Sequence, residues 1–501
     1  MSKLNVLWIM SDQHSVRTLG CYGNPLIRTP NLDRLAAQGM RFDRAYCSYP
    51  VCVPARFTML TGCYPHHHGA VGNQTPLPLR ERTAAHHFGH AGYVTGFLGK
   101  MHPVDAQTHG FDYYMDFGHY YDYLGPKTEV FTRFMGADDS GSGSPWLTIY
   151  DHATWPGQAG RQGPREGAGG RDRSPWLHAD DPKRNEVLEF ADVLAEEDHF
   201  ESFIARETIR FLRTYRDEPF FVVTSFLKPH NPLAPPAGCA AMYRPEDMPL
   251  PAWDADHLAD IPAQAQQRKT PQPGTPEGDA WARRFLAAYY GNVTHMDACV
   301  GRLLDALDEL GLAENTLVLY TTDHGEMLYE HGLRGKFNFF EPSARIPLIT
   351  RLPGHVPEGA STRALVDQAD FVPTLLDLAD VEPAPRSRPL DGQSFAPVLQ
   401  DPLAPGKPFA FGEYALNSGR PFYMRRDDRW KYVWYTAGQL PDAAGPSEEL
   451  YDPDADPGEL HNLATDPAHA DVLAEQRRLL LNFLRQQGAP TEPTAPRPAS
   501  Q

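Results

Sequence analysis

The chain has 501 residues, enough for one large α/β domain or roughly two to four smaller domains. Its 46 Lys and Arg against 64 Asp and Glu give a formal charge of −18, which excludes a general nucleic-acid binder with its basic footprint. An anionic ligand would meet an opposing overall field, so it needs positive charge concentrated locally. Met1-Ser2-Lys3 leads straight into Leu4-Asn5-Val6-Leu7-Trp8-Ile9-Met10, a run too short for a signal peptide with its cleavage region. We expect a buried first strand over 4–10, ending in the polar Ser11-Asp12-Gln13-His14. No apolar run reaches transmembrane length, so the expectation is a cytoplasmic protein with no membrane partner. Cys21, Cys47, Cys52, Cys63, Cys239 and Cys299 are then free thiols, not a disulfide framework.

Thr29-Pro30-Asn31-Leu32-Asp33-Arg34-Leu35 is a loop that opens a helix. Residues 113–185 begin with Tyr113, Tyr114, Phe117, Tyr120, Tyr121 and Tyr123 and pass through a Gly/Arg/Pro-rich stretch around 156–175. They are expected to form a long excursion over the site. A charged helix precedes the strand 219–226, built on Phe220-Phe221-Val222-Val223, and residues 250–278 form a second, Pro-rich loop. Residues 280–312 predict a long helix, with Met296, Val300, Leu303, Leu304, Leu307 and Leu310 on one face. Thr316-Leu317-Val318-Leu319-Tyr320 is a strand ending in Thr321-Thr322-Asp323-His324-Gly325. From about 400 the rhythm changes to short strands such as 429–435, a helix over 468–487 and a tail expected to be disordered. Short apolar runs alternating with amphipathic stretches predict an α/β fold with a mostly parallel sheet flanked by helices. Ligands in such sheets gather beyond the carboxyl ends of the strands, where Asp12, His230 and Asp323 all fall, so these segments are expected to share one cleft.

Pro50-Val51-Cys52-Val53-Pro54-Ala55-Arg56, followed by Thr61-Gly62, sets one cysteine in a Cys-x-Pro-x-Arg frame. Thiol catalysis does not require that frame; it wants a histidine base or a lowered thiol pKa. Taken alone, the segment also reads as a structural cysteine before a helix. The frame resembles the signature of type I, formylglycine-dependent sulfatases, in which this cysteine is oxidised after translation by a separate maturation enzyme. Further segments resemble that family in the expected order: Asp12-Gln13 closing the first strand, Gly99-Lys100-Met101-His102, Lys228-Pro229-His230-Asn231-Pro232, Thr321-Thr322-Asp323-His324-Gly325-Glu326 and Gly335-Lys336. Glu449-Leu450-Tyr451-Asp452, with Asp456-Pro457-Gly458-Glu459-Leu460-His461-Asn462-Leu463, resembles the family's end domain, so the likeness runs from about 4 to 487. It implies an alkaline-phosphatase-like large domain over 1–400, with a central mixed, mostly parallel sheet sandwiched by helices. A small carboxy-terminal antiparallel sheet with a helix would occupy 401–487, and 488–501 would be the tail.

The resemblance also assigns roles. Asp12 and Asp323 are hard oxygen donors suited to calcium or magnesium, Gln13 offers an amide oxygen and His324 a nitrogen. The family commonly has a second aspartate where Gln13 stands and often an asparagine where His324 stands, so Mn2+ and Mg2+ are rivals to Ca2+. Without the family context, Asp12 reads as a helix cap and His324 as a packed histidine. Cys52, as formylglycine hydrate, would be the nucleophile, and Arg56 would hold the hydrate and position residue 52. Lys100 and Lys336 would neutralise sulfate oxygens as compact charges. His230 would protonate the leaving oxygen, His102 would deprotonate the remaining hydroxyl, and Asn73 is a further substrate contact. His66-His67-His68 is left out of the site, because consecutive side chains point in different directions. Cys47 and Cys52 lack the paired spacing of a zinc site, and the tyrosines at 113–123 read either as a cation cage or as packing.

The implied activity is hydrolysis of a small sulfate monoester to an alcohol and inorganic sulfate. A phosphonate monoester or phosphodiester hydrolase on the same scaffold is the rival, since those relatives tend to have glutamine and histidine where Gln13 and His324 stand. They usually carry other residues in place of Lys100 and His102. A non-catalytic binder of sulfated ligands would have lost Cys52, a metal carboxylate or the lysines, and all are present. A sugar, an aryl alcohol or an alkyl alcohol such as choline all fit as the sulfated group, and a homo-oligomer is compatible with the sequence.

Overall fold

The computed structural model describes residues 3–102, 105, 107–127, 194–252, 262, 270–415, 421–436 and 447–491. The Gly/Arg/Pro-rich part of the expected excursion, most of the second Pro-rich loop and the tail from 492 lie outside the described residues. In chain order the strands are β1 (Asn5–Asp12), β2 (Met40–Phe42), β3 (Ala45–Tyr46), β4 (Val94–Gly99), β5 (Tyr113–Met115), β6 (Phe220–Pro229), β7 (Thr316–Thr322) and β8 (Arg345–Ile346). They continue with β9 (Leu348–Arg351), β10 (Ala360–Thr362), β11 (Val366–Asp367), β12 (Ala410–Ala415), β13 (Pro421–Arg426), β14 (Lys431–Tyr435) and β15 (Glu448–Tyr451).

Eight of them form the central sheet in the order β10-β2-β9-β7-β1-β6-β4-β5. β1 pairs in parallel with both β6 and β7, β4 pairs in parallel with β6 and β5, and only β9 runs antiparallel to its neighbours. The sheet is mixed and mostly parallel, as the sequence predicts. Side chains of β1 alternate between two cores, Val6, Trp8 and Met10 facing one and Leu7 and Ile9 the other. That is why the run reads as continuously apolar: helices cover both faces. The Cys52–Thr61, Ala84–His90 and Phe371–Leu378 helices contribute to the first layer. The Pro30–Ala37, Phe200–Thr214 and Pro276–Glu309 helices contribute to the second. The predicted long helix is present, beginning at Pro276 with Thr275 as its cap.

β12–β15 form a separate antiparallel sheet. One face packs Phe411, Tyr423, Tyr432 and Leu450 against Leu480 and Leu484 of the Ala470–Gln487 helix. The other face joins Tyr46, Tyr49 and Phe339 of the main body.

The described start of the 113–185 excursion is regular structure instead of loop. Tyr113–Met115 adds an edge strand beside β4, and Phe117–Leu124 is a helix. Phe117, Tyr120, Tyr121 and Leu124 recur at helical spacing, and the Phe117 and Tyr120 rings pack on Phe200 at 4.3 and 5.2 Å. These aromatics are core packing. His66, His67 and His68 are likewise structural: His66 pairs with Glu413 at 2.9 Å, His67 with Asp391 at 2.7 Å, and His68 contacts Thr58 at 3.2 Å. All six cysteines are free, and among the described residues no helix is long and apolar enough to cross a membrane.

Candidate active site

Four neighbouring strands deliver the site from their carboxyl ends. Asp12 is the last residue of β1, Asp323 follows β7, Lys100 follows β4, and His230 follows β6. The β1–β6 register slips between Met10 and Asp12, so Asp12 lies opposite Pro229. The His230 amide then donates to the Asp12 carbonyl at 3.0 Å. The Lys228-Pro229 and Asn231-Pro232 peptides flanking His230 are cis. Gly99 lets Lys100 approach: its φ is +110°, and a Cβ there would lie 1.9 Å from the Ser225 carbonyl oxygen. Gln13 and His102 hold φ of 62° and 68°, a left-handed conformation costly for side-chain-bearing residues and common at functional sites.

Cys52 is the first residue of the buried Cys52–Thr61 helix, and Arg56 lies one turn further on the same face. Asn73 accepts the Val53 amide at 3.1 Å through Oδ1, so it holds the head of this helix. Cys52 Sγ stands 3.3 Å from His324 Nε2 and 3.3 Å from Lys336 Nζ. It is 3.9 Å from Asp12 Oδ1 and 3.9 Å from Lys100 Nζ. Burial pushes the thiol pKa up, Asp12 adds to it, and Lys100 and Lys336 oppose it. The thiol is therefore a poor source of thiolate although two ammonium groups surround it.

Arg56 is almost fully enclosed and spends its donors on structure. Nε donates to Asp323 Oδ2 and Nη2 to Asp12 Oδ2, each at 2.9 Å, and Nη1 donates to Ser225 Oγ at 2.8 Å and to the Lys100 carbonyl. Lys100 Nζ also sits 2.5 Å from Asp12 Oδ2. Burial alone would raise the Asp12 carboxyl, but Lys100, His230, Arg56 and Lys336 hold it well below the usual carboxylate range. With Oδ2 occupied by cations, Asp12 Oδ1 is the oxygen that faces Cys52 and His230, the latter at 4.0 Å.

One ligand atom from each of Asp12, Cys52, Asp323 and His324 lies within 4.8 Å of the others, all of them buried. His324 Nδ1 donates to the Gly325 carbonyl at 3.0 Å, which leaves Nε2 as a lone pair aimed at Cys52. Burial lowers its pKa to about 4, so the ring is neutral near pH 7. Two carboxylates with an imidazole lone pair suit a divalent cation, and this donor set fits the metal that the sequence implies. Gln13 approaches the same centre; its Oε1 accepts from Lys336 Nζ at 2.7 Å and its Nε2 donates to Glu326. His102 and His230 are held well below the ordinary histidine value, first by burial and then by Lys100. His230 Nδ1 donates to the Asn231 carbonyl at 2.6 Å, so Nε2 is the nitrogen turned to Asp12.

Three supporting residues were not singled out from the sequence. Glu326 fixes the Gln13 amide and accepts from the Gly335 amide; it stands three residues after Asp323, inside a motif already recognised. Ser225 is a polar residue in an apolar strand, which was its only signal. Gln368 donates to the Asp323 carbonyl at 2.6 Å and accepts the Ser48 amide at 3.0 Å, and no local pattern marks it.

Arg56, Lys100 and Lys336 gather around two carboxylates and Cys52 at the carboxyl ends of a mixed sheet, a concentration of positive charge suited to holding an anion. The Sulfatase family profile matches residues 4–381, and the profile "N-sulphoglucosamine sulphohydrolase, C-terminal" matches 329–487. The chain belongs to the sulfatase family, whose enzymes hydrolyse sulfate esters. It is 30% identical to an arylsulfatase of Clostridium perfringens, over 96% of this chain and 94% of that protein. It is 30% identical to a choline-sulfatase of Rhizobium meliloti, over 93% of this chain and 83% of that protein. A phosphonate monoester hydrolase of Agrobacterium radiobacter superposes with a TM-score of 0.74 at 25% identity, covering 97% of this chain and 96% of that one.

Proposed function

We propose that this protein cleaves a sulfate monoester to an alcohol and inorganic sulfate, using formylglycine formed from Cys52 by a maturation enzyme. The carrying observation is the position of Cys52: a buried, weakly acidic thiol at a helix head, 3.3 Å from Lys336 Nζ and 3.3 Å from His324 Nε2. A thiol in that setting is badly placed to attack as thiolate. An oxygen nucleophile derived from the same side chain would stand among cations able to hold a sulfate group.

Asp12, Gln13, Asp323 and His324 would hold one divalent cation, Ca2+ in first place and Mn2+ or Mg2+ as rivals, which would polarise the attacking and sulfate oxygens. The hydrated aldehyde at position 52 would supply one hydroxyl for attack and a second that later releases sulfate. Lys100 and Lys336 neutralise sulfate oxygens, with Arg56 fixing Asp12 and Asp323 behind them. His230 delivers a proton from Nε2 to the leaving oxygen, its ring held by the Asn231 carbonyl. Burial and then Lys100 depress its pKa; an anionic sulfate beside it raises that value and favours the protonated form. His102 takes the second proton from residue 52. Asn73 stays in the account as the residue that sets the head of the nucleophile's helix. Six free cysteines support a reducing, cytoplasmic setting and small imported esters as substrates.

Phosphonate monoester hydrolysis is the second reading, favoured by the neutral Gln13 and by His324 at the metal centre. The deciding experiment compares kcat/KM for 4-nitrophenyl sulfate, choline sulfate and sugar sulfates with that for an aryl phosphonate monoester. A sulfate ester turned over faster supports the proposal; the reverse order supports the second reading.

A further inference from the structure

A second group of metal-ligating side chains lies outside the active site. His199 is the residue that opens the Phe200–Thr214 helix, Glu201 sits in its first turn, and His295 is midway along Pro276–Glu309. One ligand atom from each of the three lies within 4.8 Å of the others, and all three residues are buried. The two imidazole rings meet edge to face with centroids 5.2 Å apart.

The polar atoms left over are what distinguish this cluster from ordinary packing. His199 Nε2, Glu201 Oε2 and His295 Nδ1 have no hydrogen-bond partner among the described residues. Buried polar atoms are ordinarily satisfied, and three orphans within one small cluster are costly unless something binds between them. The opposite atom of each side chain is already engaged. Glu201 Oε1 accepts the Lys228 amide at 3.0 Å, His295 Nε2 contacts Ser202 Oγ at 3.0 Å, and His199 hydrogen-bonds the Leu194 backbone. These contacts fix the side chains and leave the orphan atoms as the free donors, the arrangement by which outer partners orient metal ligands.

We propose that His199 Nε2, Glu201 Oε2 and His295 Nδ1 form a second metal site, selective for a borderline divalent cation such as Zn2+. Two nitrogens and one carboxylate oxygen suit Zn2+ better than Ca2+ or Mg2+, whereas the Asp12–Asp323 centre is richer in oxygen. An ion here ties the head of the Phe200–Thr214 helix to the long helix. Through Glu201 it also braces Lys228, two residues before His230. The site is structural by its burial.

The test uses the full chain, stripped with a chelator, resupplied with excess Ca2+ for the oxygen-rich centre and then with Zn2+. The expected result is one tightly held Zn2+ per chain by elemental analysis, with a zinc anomalous peak between His199, Glu201 and His295. Glu201→Gln keeps an oxygen for the Lys228 amide but weakens the ligand, so Zn2+ affinity should fall by about a hundredfold or more. Zn2+ retained by E201Q at the wild-type ratio, or an anomalous peak found only beside Asp12 and His324, overturns the proposal. If E201Q fails to fold, the anomalous map of the unmutated protein decides alone, and no peak at the three residues overturns the proposal.

Discussion

Arg56→Lys isolates what the buried guanidinium does. Arg56 bridges Asp323 Oδ2 and Asp12 Oδ2 at 2.9 Å each while also bonding Ser225 and the Lys100 carbonyl. A lysine keeps the charge but is a point donor and cannot span two carboxylates in the same plane. Asp12 Oδ2 retains Lys100 at 2.5 Å, so the main loss falls on Asp323. Each of these bonds has a charged donor and is worth about 1.5–3 kcal/mol, so losing two of them gives a loss of about 3 kcal/mol or more. Both acids and Arg56 are enclosed, so solvent screening takes little from that value. The assay is urea unfolding of metal-free wild type and R56K under one m-value. Arg56→Ala, which leaves the buried Asp323 without its guanidinium partner while Asp12 keeps Lys100, should cost more, about 3–5 kcal/mol. An R56K protein within about 0.5 kcal/mol of wild type, the range of ordinary surface substitutions, would refute the reasoning.

Lys336→Met removes the ammonium 3.3 Å from Cys52 Sγ and should lower kcat for sulfate release by about 10²–10³-fold, with a smaller change in KM; a loss under threefold contradicts its role. His230→Gln should cost about 10²–10⁴-fold on an alkyl sulfate, whose leaving oxygen needs a proton, and far less on 4-nitrophenyl sulfate. Equal losses on both substrates would remove His230 as the acid. Because burial holds His324 near a pKa of about 4, a proton would compete with a metal ion bound as proposed at Nε2 only as pH falls toward that value. Metal affinity measured by calorimetry should be nearly flat between about pH 6 and 8 and weaken on approach to 4. Weakening centred on the ordinary histidine value of 6.5 would contradict the depressed pKa.

The site was legible where a physical rule ties residue type to position. β1 and β7 read as strands because both faces of each are buried, and their polar ends mark where Asp12 and Asp323 emerge. His230 follows from the same rule, since β6 lies beside β1. The helix at 117–124 falls inside a stretch whose Gly/Arg/Pro-rich continuation suggests a long loop; the three-to-four spacing of Phe117, Tyr120, Tyr121 and Leu124 is the signal of the helix. Gln368 could not be found, since it reaches Asp323 across the fold from a short turn with no motif of its own. The motif places Arg56 beside residue 52, whereas its donors go to Asp12, Asp323, Ser225 and Lys100, partners that only the folded chain brings together. His199, Glu201 and His295 likewise come together only through the packing of two distant helices.

The central claim is that Cys52 is a precursor and not the reactive group itself. The most direct measurement is the intact mass of the tryptic peptide Ala45–Arg56 from protein made in its own host. A mass in which the cysteine CH2SH has become CHO, accompanied by sulfate-ester hydrolysis, is the result expected. Unmodified cysteine in protein that still hydrolyses sulfate esters at full rate would contradict it.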